Sequence, residues 1–304
     1  MSFTSEPYDP ITADSWLVCD TCGTQFPTSD RSALKTCHIC DDPRQFVPPS
    51  GQSFSTLGEL KKKHKNEWTP CASDKNITFI SSVPKLAIGQ RAILIKTPEG
   101  NILWDCITLL DDETVERIKS EGGLKAIVIS HPHFYSTHVQ WARAFSCPVY
   151  LSAEDKIWTT LSSTHQIFLT TLETPILSAK AIKLGGHFPG SMVLHYNSRL
   201  FIADTLMTTA SGVGNWSVDA TGCSRSRPAG LNSFSFLWSI PNFIPLGVGE
   251  MARMWRILKR YEFGATHGGF MGMDIESEDV KGRVLESMKI QAGFIGDKEF
   301  EEKL

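Results

Sequence analysis

Short apolar runs alternate along this chain with segments that repeat apolar residues at helical spacing. Strands are predicted over 76–81, 91–97, 101–106, 124–129 and 149–151, followed by a β-rich run over 167–202. Helices are predicted over 57–65, 138–145, 249–261 and 277–292, and one more begins at 111–113 and stops at the glycines 122–123. Strands and helices in this interleaved order are typical of a layered α/β fold.

Length and composition limit the possible classes of protein. A chain of 304 residues can form one large domain and a small module, and 41% apolar residues can form a sizeable core. A formal net charge of −3 with interspersed signs indicates neither a nucleic-acid partner nor a membrane surface. The most apolar stretch, 234–248, contains Pro241 and Pro245, so no spanning helix is expected. Because no basic-then-apolar N-terminal segment indicates secretion, we expect a cytoplasmic protein, whose oligomeric state is left open.

Four of the eight cysteines form two Cys-x-x-Cys pairs, Cys19 with Cys22 and Cys37 with Cys40. Two thiolates from each pair can complete one tetrahedral zinc site. A disulfide pair or a redox dithiol are the alternatives, but thiols are expected to stay reduced in a cytoplasmic chain. We therefore predict a structural zinc ribbon in residues 1–50, which ends in the turn-rich stretch 48–51 and needs its ion to fold.

A second candidate metal site consists of histidines and one aspartate near the ends of apolar stretches. His131 and His133 follow the strand predicted at 124–129, and residues i and i+2 of an extended chain point the same way. His187 and Asp204 each stand at a turn that ends or follows a later apolar stretch. Imidazoles and carboxylates are zinc ligands, so these four residues are predicted to hold one ion.

These residues resemble the motif of the metallo-β-lactamase-fold hydrolases. That motif is His-x-His-x-Asp-His after a strand, a later Gly-His, a bridging Asp and a final Gly-His-Gly-type loop. The chain matches it at His131, His133, His187 and Asp204, and Thr266-His267-Gly268-Gly269 places His267 in the final loop.

The chain departs from this family where the second metal is held. Tyr135 and Ser136 stand where the family has Asp and His, so both dedicated ligands of the second ion are missing. A second ion would then depend mainly on Asp204 and His267, which are too few strong ligands. We therefore predict a single ion in this domain.

The chain is more similar still to a subgroup of uncharacterised hydrolases in the same superfamily, which carry a four-cysteine zinc ribbon before the hydrolase domain. The similarity runs along nearly the whole chain, through 19–23, 37–40, 130–135, 185–190 and 241–246. It implies a four-layer αββα metallo-β-lactamase sandwich over residues 51–304, preceded by the ribbon of residues 1–50.

The predicted chemistry is metal-dependent hydrolysis of a small molecule. A divalent ion with one position left for water lowers the pKa of that water to about 7 and so supplies hydroxide at neutral pH. Hydroxide attacks carbonyl carbon, so an ester, a thioester, a lactone or an amide can be the substrate. Zinc is the expected catalytic metal, and iron and manganese remain possible because similar ligand sets bind them.

Three residues are candidates for a direct catalytic role. Asp204 is either a ligand or a proton acceptor beside the metal. The hydroxyl of Tyr135 either donates to a developing oxyanion or belongs to a side chain that only packs. His267 is the third candidate, from the final loop of the resemblance. Asp105 matches a family acid that supports the histidine loop, and a carboxylate that accepts from a ligand imidazole would fix its tautomer.

Two other functions remain open at this stage. Two histidines plus a carboxylate also suit non-haem iron, and persulfide dioxygenases resemble this fold, so an iron oxidoreductase is one alternative. The other is a binding protein whose hydrolase site has degenerated, which the missing ligands of the second ion suggest.

Overall fold

Two large β-sheets face each other in the structure, a computed structural model that describes residues 3–296 and 300–304. The seven-stranded sheet has the order β3-β4-β5-β6-β7-β8-β9. Its strands are β3 Lys65–Pro70, β4 Ile77–Val83, β5 Arg91–Thr97, β6 Gly100–Trp104, β7 Ala126–Val128, β8 Val149–Ser152 and β9 Gln166–Leu169. The six-stranded sheet has the order β10-β11-β12-β13-β18-β19. Its strands are β10 Glu173–Ile176, β11 Ala179–Lys183, β12 Met192–Tyr196, β13 Arg199–Phe201, β18 Ala265–His267 and β19 Asp274–Glu276.

Three small sheets and the helices complete the described part of the chain. The small sheets pair β1 Leu17–Cys19 with β2 Phe54–Thr56, β14 Met207–Thr208 with β15 Phe234–Ser235, and β16 Leu237–Ser239 with β17 Ile244–Pro245. The α-helices are α1 Pro10–Ser15, α2 Leu57–Leu60, α3 Asp112–Ser120, α4 His138–Phe145, α5 Ala210–Val213, α6 Val248–Leu258 and α7 Val280–Ile295. Short 3-10 helices span Pro132–Phe134, Ala153–Trp158 and Phe300–Lys303.

Alternation of side chains along the strands produces four layers. Along β5, Ile93 and Ile95 point into a core shared by the two sheets, whereas Ala92 and Leu94 point into a second core that also contains residues of α3 and α4. The outer face of the six-stranded sheet packs on α6 and α7 in a third core. The order helix, sheet, sheet, helix confirms the αββα sandwich that the sequence predicted.

Most of the predicted helices and strands are present in the structure, and one predicted helix is shorter than expected. Helix α4 and strand β5 have the predicted bounds, but the helix predicted over 57–65 ends at Leu60. A capping box between Thr56 and Glu59 starts α2. Beyond Leu60 the lysines turn toward solvent, and Lys65 begins β3, which pairs with β4. No helix among the described residues is long and apolar enough to cross a membrane.

The N-terminal ribbon is joined to the sandwich by a buried glutamine. The backbone N–H of Gln25 donates to the Ser136 carbonyl at 3.1 Å, and its side chain accepts from Gln140 at 2.9 Å and donates to Ala13 O at 2.8 Å. The pairing of β1 with β2 crosses the predicted boundary near residue 50. That boundary stays a prediction, and β2 extends the hydrogen-bonded framework of the ribbon beyond it.

An ion pair between a buried arginine and a partly exposed aspartate ties the two large sheets together. Arg91, which starts β5, is fully buried and donates to both carboxylate oxygens of Asp274 in β19, at 2.9 and 2.5 Å. Its Nε also donates to Gly268 O at 2.9 Å. This pair therefore also holds the loop after β18.

We expect Asp274→Ala to lower the free energy of unfolding by about 3 kcal/mol, because it leaves the buried Arg91 guanidinium without its counterion. The double variant Arg91→Met/Asp274→Ala should lower the free energy of unfolding by a smaller amount, since no buried charge is left unpaired. Denaturant unfolding of both variants beside the wild type measures this, and a double variant at least as unstable as the single one would contradict the assignment.

Candidate metal centre

The loop after β7 carries the first two histidines of the site. Strand β7 ends at Val128, and His131 is extended, with φ −168° and ψ 172°. The following residues form the 3-10 helix Pro132–Phe134, which contains His133. The convergence of the two imidazoles was predicted correctly, but the reason was wrong: a tight turn brings them together, not alternation along a strand.

Two further loops supply the other members. His187 follows two glycines with positive φ, and a Cβ on Gly186 would lie 2.4 Å from Oγ1 of Thr205. Asp204 comes shortly after β13. The backbone N–H of His187 donates to Oγ1 of Thr205 at 3.2 Å, and that hydroxyl donates in turn to Gly185 O. These bonds hold the His187 loop against the Asp204 loop.

The four predicted residues meet at one point. One ligand atom from each of His131, His133, His187 and Asp204 lies within 4.8 Å of all the others. Oδ2 of Asp204 is 3.3 Å from His131 Nε2, 3.7 Å from His133 Nδ1 and 3.8 Å from His187 Nε2, and the last two nitrogens are 3.1 Å apart. Ligands about 2.0–2.1 Å from a tetrahedral zinc ion lie roughly 3.3 Å from one another. The four atoms therefore have the spacing of a zinc site.

Burial sets the protonation states that ligation needs. All four residues are almost completely buried. Burial lowers the pKa of His133 to about 4 and that of His187 well below its usual value, so both imidazoles are neutral at pH 7. Burial alone would raise the pKa of Asp204, but the adjacent imidazoles, that of His131 first, hold it well below its usual range. Neutral imidazoles and an ionised carboxylate are the forms that bind a divalent ion.

Three buried polar atoms of this cluster have no hydrogen-bond partner among the described residues. They are Nε2 of His131, Nε2 of His133 and Oδ1 of Asp204. Buried polar atoms are normally paired, and metal coordination supplies the missing interaction for an imidazole nitrogen.

The surrounding groups orient the imidazoles. Nδ1 of His187 lies 2.8 Å from the Trp238 carbonyl, and Nδ1 of His131 lies 2.9 Å from the Ser130 hydroxyl. A proton on each Nδ1 leaves each Nε2 free for a metal. The prediction that Asp105 accepts from a ligand imidazole was wrong, because its carboxylate accepts from the Ser130 backbone N–H at 2.7 Å. Burial raises the pKa of Asp105 to about 7.

The cysteines form the second cluster that the sequence predicted. Sγ atoms of Cys19, Cys22, Cys37 and Cys40 all lie within 4.8 Å of one another, and no disulfide links them. Cys19 and Cys40 are 3.7 Å apart, and Cys22 and Cys37 are 3.6 Å apart. Hydrogen bonds from the other thiols, that of Cys22 first, lower the pKa of Cys19. A buried tetrahedron of this size fits one zinc ion.

Tyr135 and Ser136 are buried, and their hydroxyl groups bond backbone carbonyls. Tyr135 is buried, and its hydroxyl donates to the Asp155 carbonyl at 3.2 Å. The Ser136 hydroxyl donates to Cys106 O at 3.2 Å and accepts from Gln90 at 3.0 Å. Of the two roles open for Tyr135, this geometry favours the one in which it only packs.

His267 lies apart from the four-residue cluster. Its Nδ1 is 2.8 Å from Asp274, its Nε2 is 3.0 Å from Arg199, and its ring packs on Phe79 and Phe201 between the two sheets. It belongs instead to a separate group with Cys71 and Glu276, whose candidate ligand atoms lie within 4.8 Å of one another. The catalytic role predicted for His267 has no support in this geometry.

Sequence reasoning missed Arg44, which the ribbon places against the histidine cluster. Its guanidinium lies 3.9 Å from the ring centre of Phe188, and Nη1 donates to the His187 carbonyl at 3.3 Å. Asp42 accepts from it at 2.6 and 2.8 Å. The only signal in the sequence is an arginine close behind the second cysteine pair, which does not indicate a partner more than a hundred residues away.

Comparison with known proteins gives one relative and a set of similar structures. No protein-family model matches the chain. The chain is 34% identical over 272 residues to the uncharacterized protein YmaE of Bacillus subtilis (strain 168), and the match covers 87% of this chain and 92% of YmaE.

The similar solved structures are metallo-β-lactamases. The mono-zinc form of FIM-1 from Pseudomonas aeruginosa has a TM-score of 0.51 at 13% identity and covers 75% of this chain and 96% of FIM-1. DIM-1 has a TM-score of 0.51 at 14% identity, over 74% of this chain and 98% of DIM-1. The enzyme from Pontibacter korlensis has a TM-score of 0.50 at 14% identity, and the match covers 74% of this chain and 99% of that enzyme. At this level of identity the likeness shows the fold.

We expect Arg44→Met to weaken zinc binding at the histidine cluster by about tenfold, because His187 loses the group that holds its carbonyl in place. Zinc competition against a chelator of known affinity measures the change. Lys35→Met, which alters an exposed cation of the same ribbon, is the matched control and should leave the affinity unchanged. Equal affinities for the Arg44 variant and the wild type would show that this contact does not support the site.

Proposed function

We propose that this chain, which belongs to the family of YmaE and has the metallo-β-lactamase fold, is a metal-dependent hydrolase that acts on a carbonyl group of a small molecule. The observation that supports this proposal is the buried cluster of His131, His133, His187 and Asp204. Two of its members, His133 and Asp204, line a cavity of about 180 Å³. A substrate in that cavity would therefore lie against the candidate metal ligands.

A divalent ion bound there would lower the pKa of water to about 7 and polarise a carbonyl oxygen. The protein supplies the positioning. Oδ2 of Asp204 faces the imidazoles, and its Oδ1 has no partner among the described residues, so Oδ1 can accept a hydrogen bond from a reacting water molecule and orient it. Water adds to the carbonyl carbon, the bond to the leaving oxygen, sulfur or nitrogen breaks, and the leaving group takes up a proton.

We propose one ion in this domain. Tyr135 and Ser136, which stand at the positions of the family's second-ion ligands, are bonded to backbone carbonyls away from the cluster. His267 is bonded to Asp274 and Arg199. The four cysteines would hold a separate, structural zinc ion, so the intact chain should contain two ions.

We expect His133→Ala to contain one metal ion per chain instead of two, and to hydrolyse an activated ester at least about 100-fold more slowly than the wild type. Elemental analysis and initial rates measure the two effects. His195→Ala is the matched control, because His195 bonds Glu262 O and is not part of either cluster.

Three outcomes would contradict the proposal. Unchanged metal content and turnover in the His133 variant would indicate a degenerate site. Stoichiometric iron with oxygen consumption on a thiol substrate would indicate the oxidoreductase alternative. A third ion per wild-type chain would contradict the single-ion site.

A further inference from the structure

We propose that the cavity at the metal centre binds a neutral, apolar acyl group, and that the N-terminal ribbon forms one wall of this acyl site. The inference rests on the proposed hydrolase function and adds the substrate class. Five loops of the sandwich and one loop of the ribbon meet here. The apolar side chains that line the cavity above His133 and Asp204 are those of Phe46, Ile88, Ile240, Pro241 and Phe270.

The ribbon lines the cavity with one apolar side chain, that of Phe46. Phe46 follows the second cysteine pair and is 46% exposed, so one part of its ring lines the cavity and the rest faces solvent. Gln45 beside it is buried, and its Oε1 accepts from the Phe46 backbone N–H at 3.2 Å. This wall is therefore held by contacts within the ribbon and offers apolar surface to a ligand.

The cationic side chain at the cavity is already paired. Arg44 is the one cationic side chain that lines it among the described residues. Its guanidinium donates twice to Asp42 and once to His187 O, and it stacks on Phe188. A carboxylate on a substrate would have to displace Asp42 or remain unpaired in an apolar site. Either arrangement would lower the affinity for the substrate several-fold or more. A neutral acyl group avoids that cost.

The volume limits the size of the acyl group. A cavity of about 150 Å³ lined by Leu, Ile and Phe can hold benzene, so about 180 Å³ has room for a chain of roughly four to six carbons beside the carbonyl. A longer chain would extend past Phe46, which is itself 46% exposed, into solvent. The gain per methylene should therefore level off once the cavity is full.

The experiment uses the zinc-loaded full chain and p-nitrophenyl esters from acetate to decanoate. We expect kcat/KM, corrected for the intrinsic reactivity of each ester, to rise about threefold to fourfold per methylene up to hexanoate and then to level off. The mono-p-nitrophenyl ester of glutarate, which has the chain length of pentanoate and a terminal carboxylate, should react at least about tenfold more slowly than pentanoate.

Variants locate the effect. Phe46→Ala should lower the ratio of the hexanoate and acetate values of kcat/KM by about fivefold, because the wall of the acyl site is lost. Phe243→Ala is the matched control, since Phe243 is 82% exposed and does not line the cavity. Rates that do not depend on chain length, a preference for glutarate, or equal effects of the two variants would overturn the inference.

A binding measurement keeps this inference separate from the proposed function. Acetohydroxamate and hexanohydroxamate share a metal-binding group and differ by four methylenes, so hexanohydroxamate should bind at least about 50-fold more tightly to the zinc-loaded chain. If this holds while no ester is hydrolysed, the acyl site stands and the hydrolase proposal fails. If esters are hydrolysed while both hydroxamates bind equally, the hydrolase proposal stands and the acyl site fails.

Discussion

Four buried ligand groups that face one another determine the shape of this protein around its centre. An unpaired buried polar atom costs roughly 1–3 kcal/mol, and His131 Nε2 and Asp204 Oδ1 are two such atoms. A divalent ion would supply the interaction missing at His131 Nε2, and a water molecule beside that ion could donate to Asp204 Oδ1. The free energy of metal binding would then also stabilise the three loops that carry the ligands.

One of the two residues that stand at the family's second-ion positions, Ser136, connects the histidine loop to the ribbon. Ser136 has a φ of 47°, a left-handed conformation that directs its carbonyl to the backbone N–H of Gln25. Tyr135 fills the space beside His138 and bonds the carbonyl of Asp155. At the positions where the family has two metal ligands, the chain thus has one contact within the sandwich and one between its two modules.

The sequence was sufficient to predict the fold and the two clusters of candidate ligands, but it did not predict the residues that surround these clusters. Spacing and residue type identified both clusters, because zinc accepts few kinds of ligand and each ligand stood at a turn. The same reasoning misplaced His267, whose strand pairs directly with β13 but whose side chain points between the sheets toward Phe79. Arg44 could not be predicted, since it acts through a contact with Phe188 that only tertiary folding creates.

The ribbon can influence catalysis although it supplies no ligand to the histidine cluster. Trp158 packs against the cysteine cluster, stacks on His38, and contacts Phe188, whose ring in turn packs on His131 and His133. A ribbon of this size has too little apolar surface to fold without its ion. Loss of the structural zinc would therefore release Arg44 and Phe46 from the cavity and admit water. Electrostatic interactions weaken as the local dielectric constant rises, so an ion bound by the four cysteines would help to keep the histidine cluster in a dry site.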